Sequence, residues 1–309
     1  MFVIAAPGQG AQKSGFLRPW LELPGVADRL AWWSAVTGLD LVRCGTTADD
    51  EEIRDTAVAQ PLLVAAGLAA AAELDVMPDV AAGHSVGELV AAALSGALSP
   101  EAALVFVRER GRAMAGAAAV TQTGMTAVLG GEPDDVLAAI DKHDLTPANI
   151  NGAGQIVAAG TLPQLAAFAD DPPARARLRP LQVAGAFHTK HMLPAVDALH
   201  RLVPGMPVAD PRTRLLSNAD GGVVTSGPAY VAHLVDQVSR PVRWDACMTT
   251  MAELGVTAII ELPPAGTLVG LAKRALPDVA RVALKTPEDL DEARELIRAH
   301  TGQAQEDNT

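Results

Sequence analysis

Short runs of Val, Ile and Ala alternate with Ala- and Leu-rich segments of helical length in the first part of the chain. The apolar run Phe2–Ala6 comes first, followed by segments at Pro61–Leu74, Val80–Gly83, Val86–Leu94 and Glu101–Ala115. Parallel strands need long crossover connections, which are usually helices. The alternation therefore predicts an α/β fold built on a parallel sheet.

The segment at Glu101 carries clear helix-start signals. Ser99 is a favoured N-cap residue, and Pro100 is favoured at the first helical position. On this helix Arg110 lies at the margin of the apolar face, at about 100° of rotation per residue. Its guanidinium would either extend along the helix surface to solvent or meet a carboxylate in the interior. The helical position alone leaves both alternatives open.

Residues 123–187 follow a different order of elements. The predicted strands and helices are Met125–Leu129 (strand), Pro133–Asp141 (helix), Pro147–Ile150 and Gln155–Ala159 (strands), Leu162–Ala169 (helix) and Leu178–Val183 (strand). This βαββαβ order is that of the ferredoxin-like, or split βαβ, unit. The sequence therefore predicts a small domain at 123–187, inserted into a large α/β domain formed by 1–122 and 188–301. The polar tail 302–309 is expected to be frayed.

Composition and charge restrict the class of protein. Of the 309 residues, 49% are hydrophobic and 19% charged, which excludes disorder as the main state. The net charge of −12 disfavours partners such as nucleic acid or anionic membranes, and no uncharged apolar run of about 20 residues is present to span a bilayer. Cys44 and Cys247 belong to no Cys/His cluster, so we expect no disulfide and no metal centre. We expect a cytoplasmic protein.

The strongest local signal is Gly83-His84-Ser85-Val86-Gly87, a GxSxG pattern between an apolar strand and a helical segment. In a nucleophile elbow the backbone turns so sharply that only small residues fit two positions before and after the serine. Both positions are glycine here. An ordinary strand-to-helix turn capped by serine is the alternative, but the flanking strand and helix favour a nucleophile.

A serine nucleophile needs a base at neutral pH, and the chain contains seven histidines. His188 is the favoured candidate, because it follows the small, apolar Gly185-Ala186-Phe187 at the point where the small domain rejoins the large one. A cleft between two domains would form there. His191, one helical turn further along, remains an alternative.

The glycine-rich segment Pro7–Gly15 invites comparison with a phosphate-binding loop. The Walker pattern requires glycine immediately before the lysine, and Gln12 precedes Lys13 instead. A glycine-rich turn after the first strand can also present a backbone N–H group to an oxyanion, or serve only as a connection. A non-catalytic nucleotide-binding module is the alternative function that this segment keeps open.

Several motifs occur in a characteristic order along nearly the whole chain. They are Gly8-Gln9-Gly10-Ala11-Gln12, Gln60-Pro61, Gly83-His84-Ser85-Val86-Gly87-Glu88, Arg110-Gly111-Arg112, Phe187-His188, Pro241-Val242-Arg243-Trp244 and the glycine-containing turn after Glu261. Together they resemble the malonyl-CoA:acyl carrier protein transacylases of bacterial type II fatty-acid and polyketide synthesis. The resemblance implies an α/β-hydrolase-like core with an inserted ferredoxin-like domain.

The resemblance also implies catalytic roles. Ser85 would carry the malonyl group as an ester, and His188 would activate the serine and later the phosphopantetheine thiol of the carrier protein. The histidine-orienting group of this family is usually a main-chain carbonyl, which the motif match assigns to Arg243. The backbone N–H groups of Gln9 and Val86 would form the oxyanion hole.

Substrate recognition is implied in the same way. Arg110 would bind the malonyl carboxylate through two hydrogen bonds, and Gln60 would line the same pocket. Phe187 would crowd an α-methyl branch and so favour malonyl over methylmalonyl groups. No cofactor is expected, since the substrate is a CoA thioester and the partner carries the phosphopantetheine.

Acyl carrier proteins are acidic, as this chain is, so docking would need a local basic edge. Lys273-Arg274 and Lys190 are the candidates for that edge. The chain is expected to act as a monomer, with malonyl-CoA and an acyl carrier protein as its partners. A serine acyl-hydrolase or editing acyltransferase on the same fold is the nearest alternative function.

Overall fold

The computed structural model describes residues 1–301, and the predicted tail 302–309 lies outside the described residues. Two five-stranded sheets organise this part of the chain. The strands are β1 (Phe2–Ala6), β2 (Val80–Gly83), β3 (Thr123–Gly130), β4 (Thr146–Gly152), β5 (Gln155–Thr161), β6 (Ala176–Pro180), β7 (Arg214–Leu215), β8 (Val242–Arg243), β9 (Ala258–Glu261) and β10 (Ala280–Ala283). The helices are α1 (Val26–Thr37), α2 (Leu41–Thr46), α3 (Thr56–Leu74), α4 (Glu88–Leu94), α5 (Pro100–Ala118), α6 (Pro133–Lys142), α7 (Leu162–Asp170), α8 (Leu193–Leu202), α9 (Gly227–Gln237), α10 (Trp244–Glu253), α11 (Thr267–Ala275) and α12 (Leu290–Thr301).

The first sheet is parallel throughout, with strand order β10-β9-β1-β2-β7. Its central strand β1 is buried on both faces: Phe2 and Ile4 belong to one hydrophobic core, and Val3 and Ala5 belong to another. A strand covered by helices on both faces has no reason to alternate polar and apolar residues. The α/β class and the parallel sheet predicted from the sequence are confirmed.

The second sheet is mixed, with strand order β6-β3-β5-β4-β8. The elements from β3 to β6 follow the predicted order of strand, helix, strand, strand, helix and strand. The fifth strand, β8, comes from outside residues 123–187 and pairs in parallel with β4, where Asn149 lies opposite Val242 and Ile150 opposite Arg243. The sequence gives no sign of this pairing, because a two-residue strand has no periodicity. The domain boundaries stay a prediction.

Helix α3 begins at Thr56, five residues before the predicted start at Pro61. Asp55 caps it by accepting a hydrogen bond from the Ala57 N–H at 2.8 Å. By length and composition α3 could cross a membrane, but 78% of its apolar window is buried inside the protein. It packs against α5 at Gly111, where an added Cβ would lie 2.9 Å from the Thr56 carbonyl oxygen. The glycine therefore allows the close approach of α3 and α5.

The predicted caps and starts of the helices around the elbow were partly right. Ser99 accepts a hydrogen bond from the Ala102 N–H at 3.1 Å, as expected of an N-cap before Pro100. The helix predicted from Val86 begins instead at Glu88, after a short 3₁₀ turn over Ser85–Gly87. The tighter turn is the geometry of the elbow itself.

Candidate active site

Two glycines shape the turn that carries Ser85. A Cβ at Gly83 would lie 2.0 Å from the Gly87 carbonyl carbon, and a Cβ at Gly87 would lie 2.2 Å from the Ala6 carbonyl oxygen. Ser85 itself has φ +53°, in the left-handed region that costs a non-glycine residue about 1–2 kcal/mol. The strained turn presents the hydroxyl at the carboxyl end of β2 and at the beginning of the following helix.

His188 contacts this hydroxyl. Its Nε2 lies 2.8 Å from the Ser85 Oγ, and its Nδ1 lies 2.7 Å from the Gln237 carbonyl oxygen. A carbonyl can only accept, so Nδ1 carries the proton and Nε2 is left free to accept the serine proton. The His188 main chain has φ +62° and is held by a 3.0 Å hydrogen bond from its N–H to the Val238 carbonyl. The imidazole is thus fixed in both tautomer and direction.

The expectation that Arg243 orients His188 is wrong. The carbonyl on Nδ1 is that of Gln237, at the end of α9, whereas the Arg243 guanidinium pairs with Asp245 at 2.9 Å. The Arg243 main-chain N–H donates to the Asn218 carbonyl at 2.9 Å. The type of group was as the resemblance implied, but a main-chain carbonyl has no side-chain signature, so the motif match selected a residue six positions too late.

Burial and charge keep His188 neutral. It is 3% exposed, and burial together with the positive charge of Arg110 lowers its pKa to about 3. An imidazole in this state can accept a proton at neutral pH without first losing one. His191, the alternative imidazole, lies half-buried in the 3₁₀ turn Lys190–Met192, outside the lining of the site cavity. The structure brings His188, and not His191, to Ser85.

Arg110 is 1% exposed and neither reaches solvent nor meets a carboxylate. Its Nη1 donates to the Gln60 Oε1 at 2.6 Å, and its Nη2 donates to the Gln237 Oε1 at 2.8 Å and to the Ser85 Oγ at 3.3 Å. Burial lowers its pKa to about 10, which still leaves it charged at neutral pH. A cation therefore lies beside the nucleophile, held by uncharged acceptors.

A cavity of about 270 Å³ opens above Ser85 and His188, and Arg110, which contacts Gln60 and Ser85, is not itself among the lining residues. Its lining includes Gln9, Gln60, Ser85, Val86, Met114, Met125, Phe187, His188 and Leu271. Val86 lies in the first turn of a helix, where N–H groups have no intrahelical partner. Gln9 follows β1 in a turn that is closed by a 2.8 Å hydrogen bond from the Gly10 N–H to the Gln12 Oε1. Gln12, which breaks the Walker pattern, thus stabilises the turn that borders the cavity.

Three further polar residues support the site, in roles that could not be predicted from the sequence. Asn218 Oδ1 accepts from the Ser85 N–H at 2.7 Å, and its Nδ2 donates to the Gly83 carbonyl at 2.8 Å. Glu88 is 1% exposed and accepts from the Asn218 N–H at 2.7 Å and from the Gln237 Nε2. Glu88 could have been noticed as a lone charge within an apolar segment, but Asn218 and Gln237 have no such signal.

The residues predicted to dock the carrier protein lie on the surface. Lys190, Lys273 and Arg274 are exposed, and the last two lie on α11, a helix that also borders the cavity through Leu271. Within residues 1–301, no group of three or more His, Cys, Asp or Glu side chains is arranged to hold a metal ion.

Comparison with known proteins gives the family of the chain. Residues 2–305 match the family model described as the acyl transferase domain. The chain belongs to the acyl transferase domain family. This acyl transferase is 52% identical over 305 residues to the malonyl CoA-acyl carrier protein transacylase of Mycobacterium tuberculosis strain H37Rv, covering 96% of this chain and 100% of the relative.

Solved structures give the same picture. The crystal structure of MCAT from Mycobacterium tuberculosis superposes with a TM-score of 0.91 at 53% identity, covering 94% of this acyl transferase and 99% of that chain. A malonyl-transacylase solved in complex with its type II PKS acyl-carrier protein has a TM-score of 0.89 at 29% identity, covering 95% of this acyl transferase and 99% of that chain.

Proposed function

We propose that this acyl transferase moves the malonyl group of malonyl-CoA to the phosphopantetheine thiol of an acyl carrier protein, through a malonyl ester on Ser85. The proposal is supported chiefly by the arrangement of three side chains. The Ser85 hydroxyl lies 2.8 Å from a neutral His188 and 3.3 Å from the buried guanidinium of Arg110. The Ser85 Oγ, the proposed nucleophile, is thus in contact with both a base and a cation that can bind a carboxylate.

In the first half-reaction, the His188 Nε2 takes the Ser85 proton while Oγ attacks the thioester carbon. The developing oxyanion would be stabilised by the N–H groups of Gln9 and Val86. Collapse of the tetrahedral intermediate breaks the C–S bond, and the imidazolium gives its proton to the leaving CoA thiolate. Malonyl-Ser85 and free CoA are the products.

The second half-reaction runs in the opposite direction. The phosphopantetheine thiol loses its proton to the His188 Nε2, and the thiolate attacks the ester carbonyl. The C–O bond to Ser85 breaks, and its oxygen recovers the proton from the imidazolium. A general base contributes roughly 10²–10⁴ in rate, and an oxyanion donor about 3 kcal/mol.

Selectivity would come from Arg110 and Phe187. A charge-assisted pair with the malonyl carboxylate contributes about 1.5–3 kcal/mol, which an acetyl group cannot gain. Phe187 is 6% exposed and lines the cavity, so its ring would crowd an α-methyl branch. Arg110 would thus favour malonyl over acetyl groups, and Phe187 would favour malonyl over methylmalonyl groups.

We also infer that the large domain has an α/β-hydrolase-like core and that the inserted domain is ferredoxin-like. The order β6-β3-β5-β4, antiparallel throughout, supports a ferredoxin-like unit. A nucleophile at the carboxyl end of a parallel strand, in a GxSxG turn before a helix, supports an α/β-hydrolase-like core.

Carrier-protein docking at Lys273, Arg274 and Lys190 is part of the proposal. It is supported by their exposure and by the position of α11 beside the cavity. A cytoplasmic location, a monomeric state and the lack of a cofactor stay predictions of the sequence.

The test is incubation of the chain with radiolabelled malonyl-CoA, with and without a phosphopantetheinylated acyl carrier protein. Without the carrier, label should remain on the protein as a stable ester; with the carrier, label should move to it. Release of malonate faster than transfer, with the carrier present, would instead identify an acyl-hydrolase. Tight nucleotide binding without any acyl-enzyme would identify the nucleotide-binding alternative.

A further inference from the structure

Arg110 presents an electrostatic problem. It is 1% exposed, and its hydrogen-bond acceptors are two side-chain amides and a hydroxyl, all of them uncharged. A buried cation without a counter-charge is strongly disfavoured. A carboxylate in direct contact with it would solve the problem, but that carboxylate would also occupy the donors that a substrate carboxylate needs.

Glu88 lies on the far side of one of those amides. The Gln237 Oε1 accepts from Arg110 at 2.8 Å, while the Gln237 Nε2 donates to the Glu88 Oε2. The other Glu88 oxygen accepts from the Asn218 N–H at 2.7 Å. The Gln237 amide thus bridges the buried Glu88 and the buried Arg110, with its oxygen toward the guanidinium and its nitrogen toward the carboxyl group.

The contacts of Glu88 are those of an ionised carboxylate, because each of its oxygens accepts a hydrogen bond from nitrogen. Burial raises the pKa of Glu88 to about 8, although the Asn218 N–H, the Tyr230 hydroxyl, the charge of Arg110 and the Gln237 amide each lower it. Within residues 1–301, both carboxyl oxygens face N–H donors and neither faces an acceptor for a carboxyl proton, so the geometry favours the ionised form. Glu88 is also the acid whose charge favours the protonated form of Arg110. The two groups therefore stabilise each other's charges without touching.

We propose that Glu88 and Gln237 form a positioning relay. Glu88 supplies the counter-charge of Arg110 through the intervening Gln237 amide, so the guanidinium stays charged without a carboxylate in direct contact. The inference rests on the proposed function, since the group that would complete Arg110 is the carboxylate of the malonyl thioester. Gln237 acts at both ends of the site, because its main-chain carbonyl also holds His188. Neither Glu88 nor the Gln237 side chain contacts the reacting atoms, so both are positioning groups.

The orientation of the Gln237 amide, with its oxygen toward Arg110, can be reversed by a substitution at Glu88. In Glu88→Gln, one atom of the carboxyl group becomes an NH₂ group. It faces either the Asn218 N–H or the Gln237 NH₂, so two donors meet. If the Gln237 amide rotates to relieve the clash, its own NH₂ turns toward Arg110. The guanidinium then loses an acceptor and its counter-charge, while the main-chain contact to His188 is unaffected.

The experiment compares the acylation of Ser85 by malonyl-CoA and by acetyl-CoA in the full chain, followed by quenched-flow and intact-protein mass spectrometry. For Glu88→Gln we expect the malonyl-over-acetyl ratio of kcat/KM to fall at least 10-fold, through a higher KM for malonyl-CoA. A disturbance that reaches the elbow, through Asn218 or through the 3.2 Å hydrogen bond from the Gln237 Nε2 to the Ser85 carbonyl, slows acylation by both thioesters alike and cancels in this ratio.

Glu261→Gln is the matched control. Glu261 is fully buried and accepts three main-chain N–H bonds at the start of α11, without contact to Arg110. This variant should lose thermal stability but keep the wild-type acyl ratio. Gln237→Met, which removes the bridging amide and retains the main-chain carbonyl, should repeat the selectivity loss and decides the matter if Glu88→Gln fails to fold.

Two results have different meanings. A wild-type chain that malonyl-CoA does not acylate would refute the proposed function itself. A wild-type chain that is acylated, together with a folded Glu88→Gln or Gln237→Met whose malonyl-over-acetyl ratio stays within 2-fold of wild type, would overturn the relay alone.

Discussion

Replacing Arg110 by alanine tests acyl selectivity at the group that sits beside the nucleophile. The guanidinium of Arg110 lies 3.3 Å from the Ser85 Oγ and is 1% exposed, so a carboxylate that it binds is also removed from water. Acetyl-CoA has no such carboxylate. The loss should therefore appear in the malonyl-over-acetyl ratio and spare the chemistry that both thioesters share.

The magnitude follows from the kind of contact. A charge-assisted pair of hydrogen bonds contributes about 1.5–3 kcal/mol, which corresponds to a ratio lower by about 10- to 150-fold. The substitution also leaves the Gln60 and Gln237 amide oxygens without their donor, at a cost to stability of about 1–3 kcal/mol for each buried group. The free energy of unfolding should fall as well, and both quantities need measuring.

The assay is acylation of the protein by each thioester over a range of concentrations, with thermal unfolding as the check on folding. Arg112→Ala is the matched control, since Arg112 lies on the same helix with an exposed side chain paired to Glu109. That variant should keep the wild-type ratio. A folded Arg110→Ala protein with an unchanged preference for malonyl-CoA would contradict the assignment of the carboxylate site.

Three further predictions concern the nucleophile and the base. Ser85→Ala should abolish the acyl adduct without unfolding the chain, and a malonyl adduct retained by that variant in mass spectrometry would show that another residue carries the acyl group. His188→Ala should slow acylation and transfer by 10²-fold or more, whereas His191→Ala should slow neither; the reverse outcome would identify His191 as the base. Since burial and Arg110 hold the pKa of His188 at about 3, the imidazole stays unprotonated well below neutrality. The kcat/KM for acylation should therefore change less than 2-fold between pH 7.5 and 5. With an imidazole of the ordinary pKa of about 6.5, kcat/KM would fall about 30-fold over the same range. A fall in kcat/KM centred near pH 6.5 in a stopped assay would contradict the depressed pKa.

Most of the fold could be predicted from the spacing of apolar residues along the chain. The parallel sheet around β1 and the order of elements from β3 to β6 could be predicted, because buried strands and amphipathic helices differ in the spacing of their apolar residues. The strand β8 and the early start of α3 could not. A strand of two residues shows no period, and Pro61 lies inside α3, where a proline is normally read as a start or a break.

The side chains of the site were easier to predict than the groups that hold them. Ser85 lies in a turn whose glycines are visible in the sequence, and His188 follows a small apolar stretch at a junction. The carbonyl of Gln237 leaves no such trace, because every residue has one. Likewise, the bridging amide between Arg110 and Glu88 depends on α9 meeting α4 and α5, a tertiary contact that local spacing does not encode.

The pairing of β4 with β8 joins the second sheet to a chain segment just downstream of Gln237, the residue that holds the imidazole. Val242, which pairs with Asn149, follows Gln237 by only five positions. A displacement of β4 relative to the parallel sheet would be transmitted through these five positions to the carbonyl that holds His188. The pairing of β8 with β4 and the orientation of the imidazole therefore depend on the same short stretch of chain.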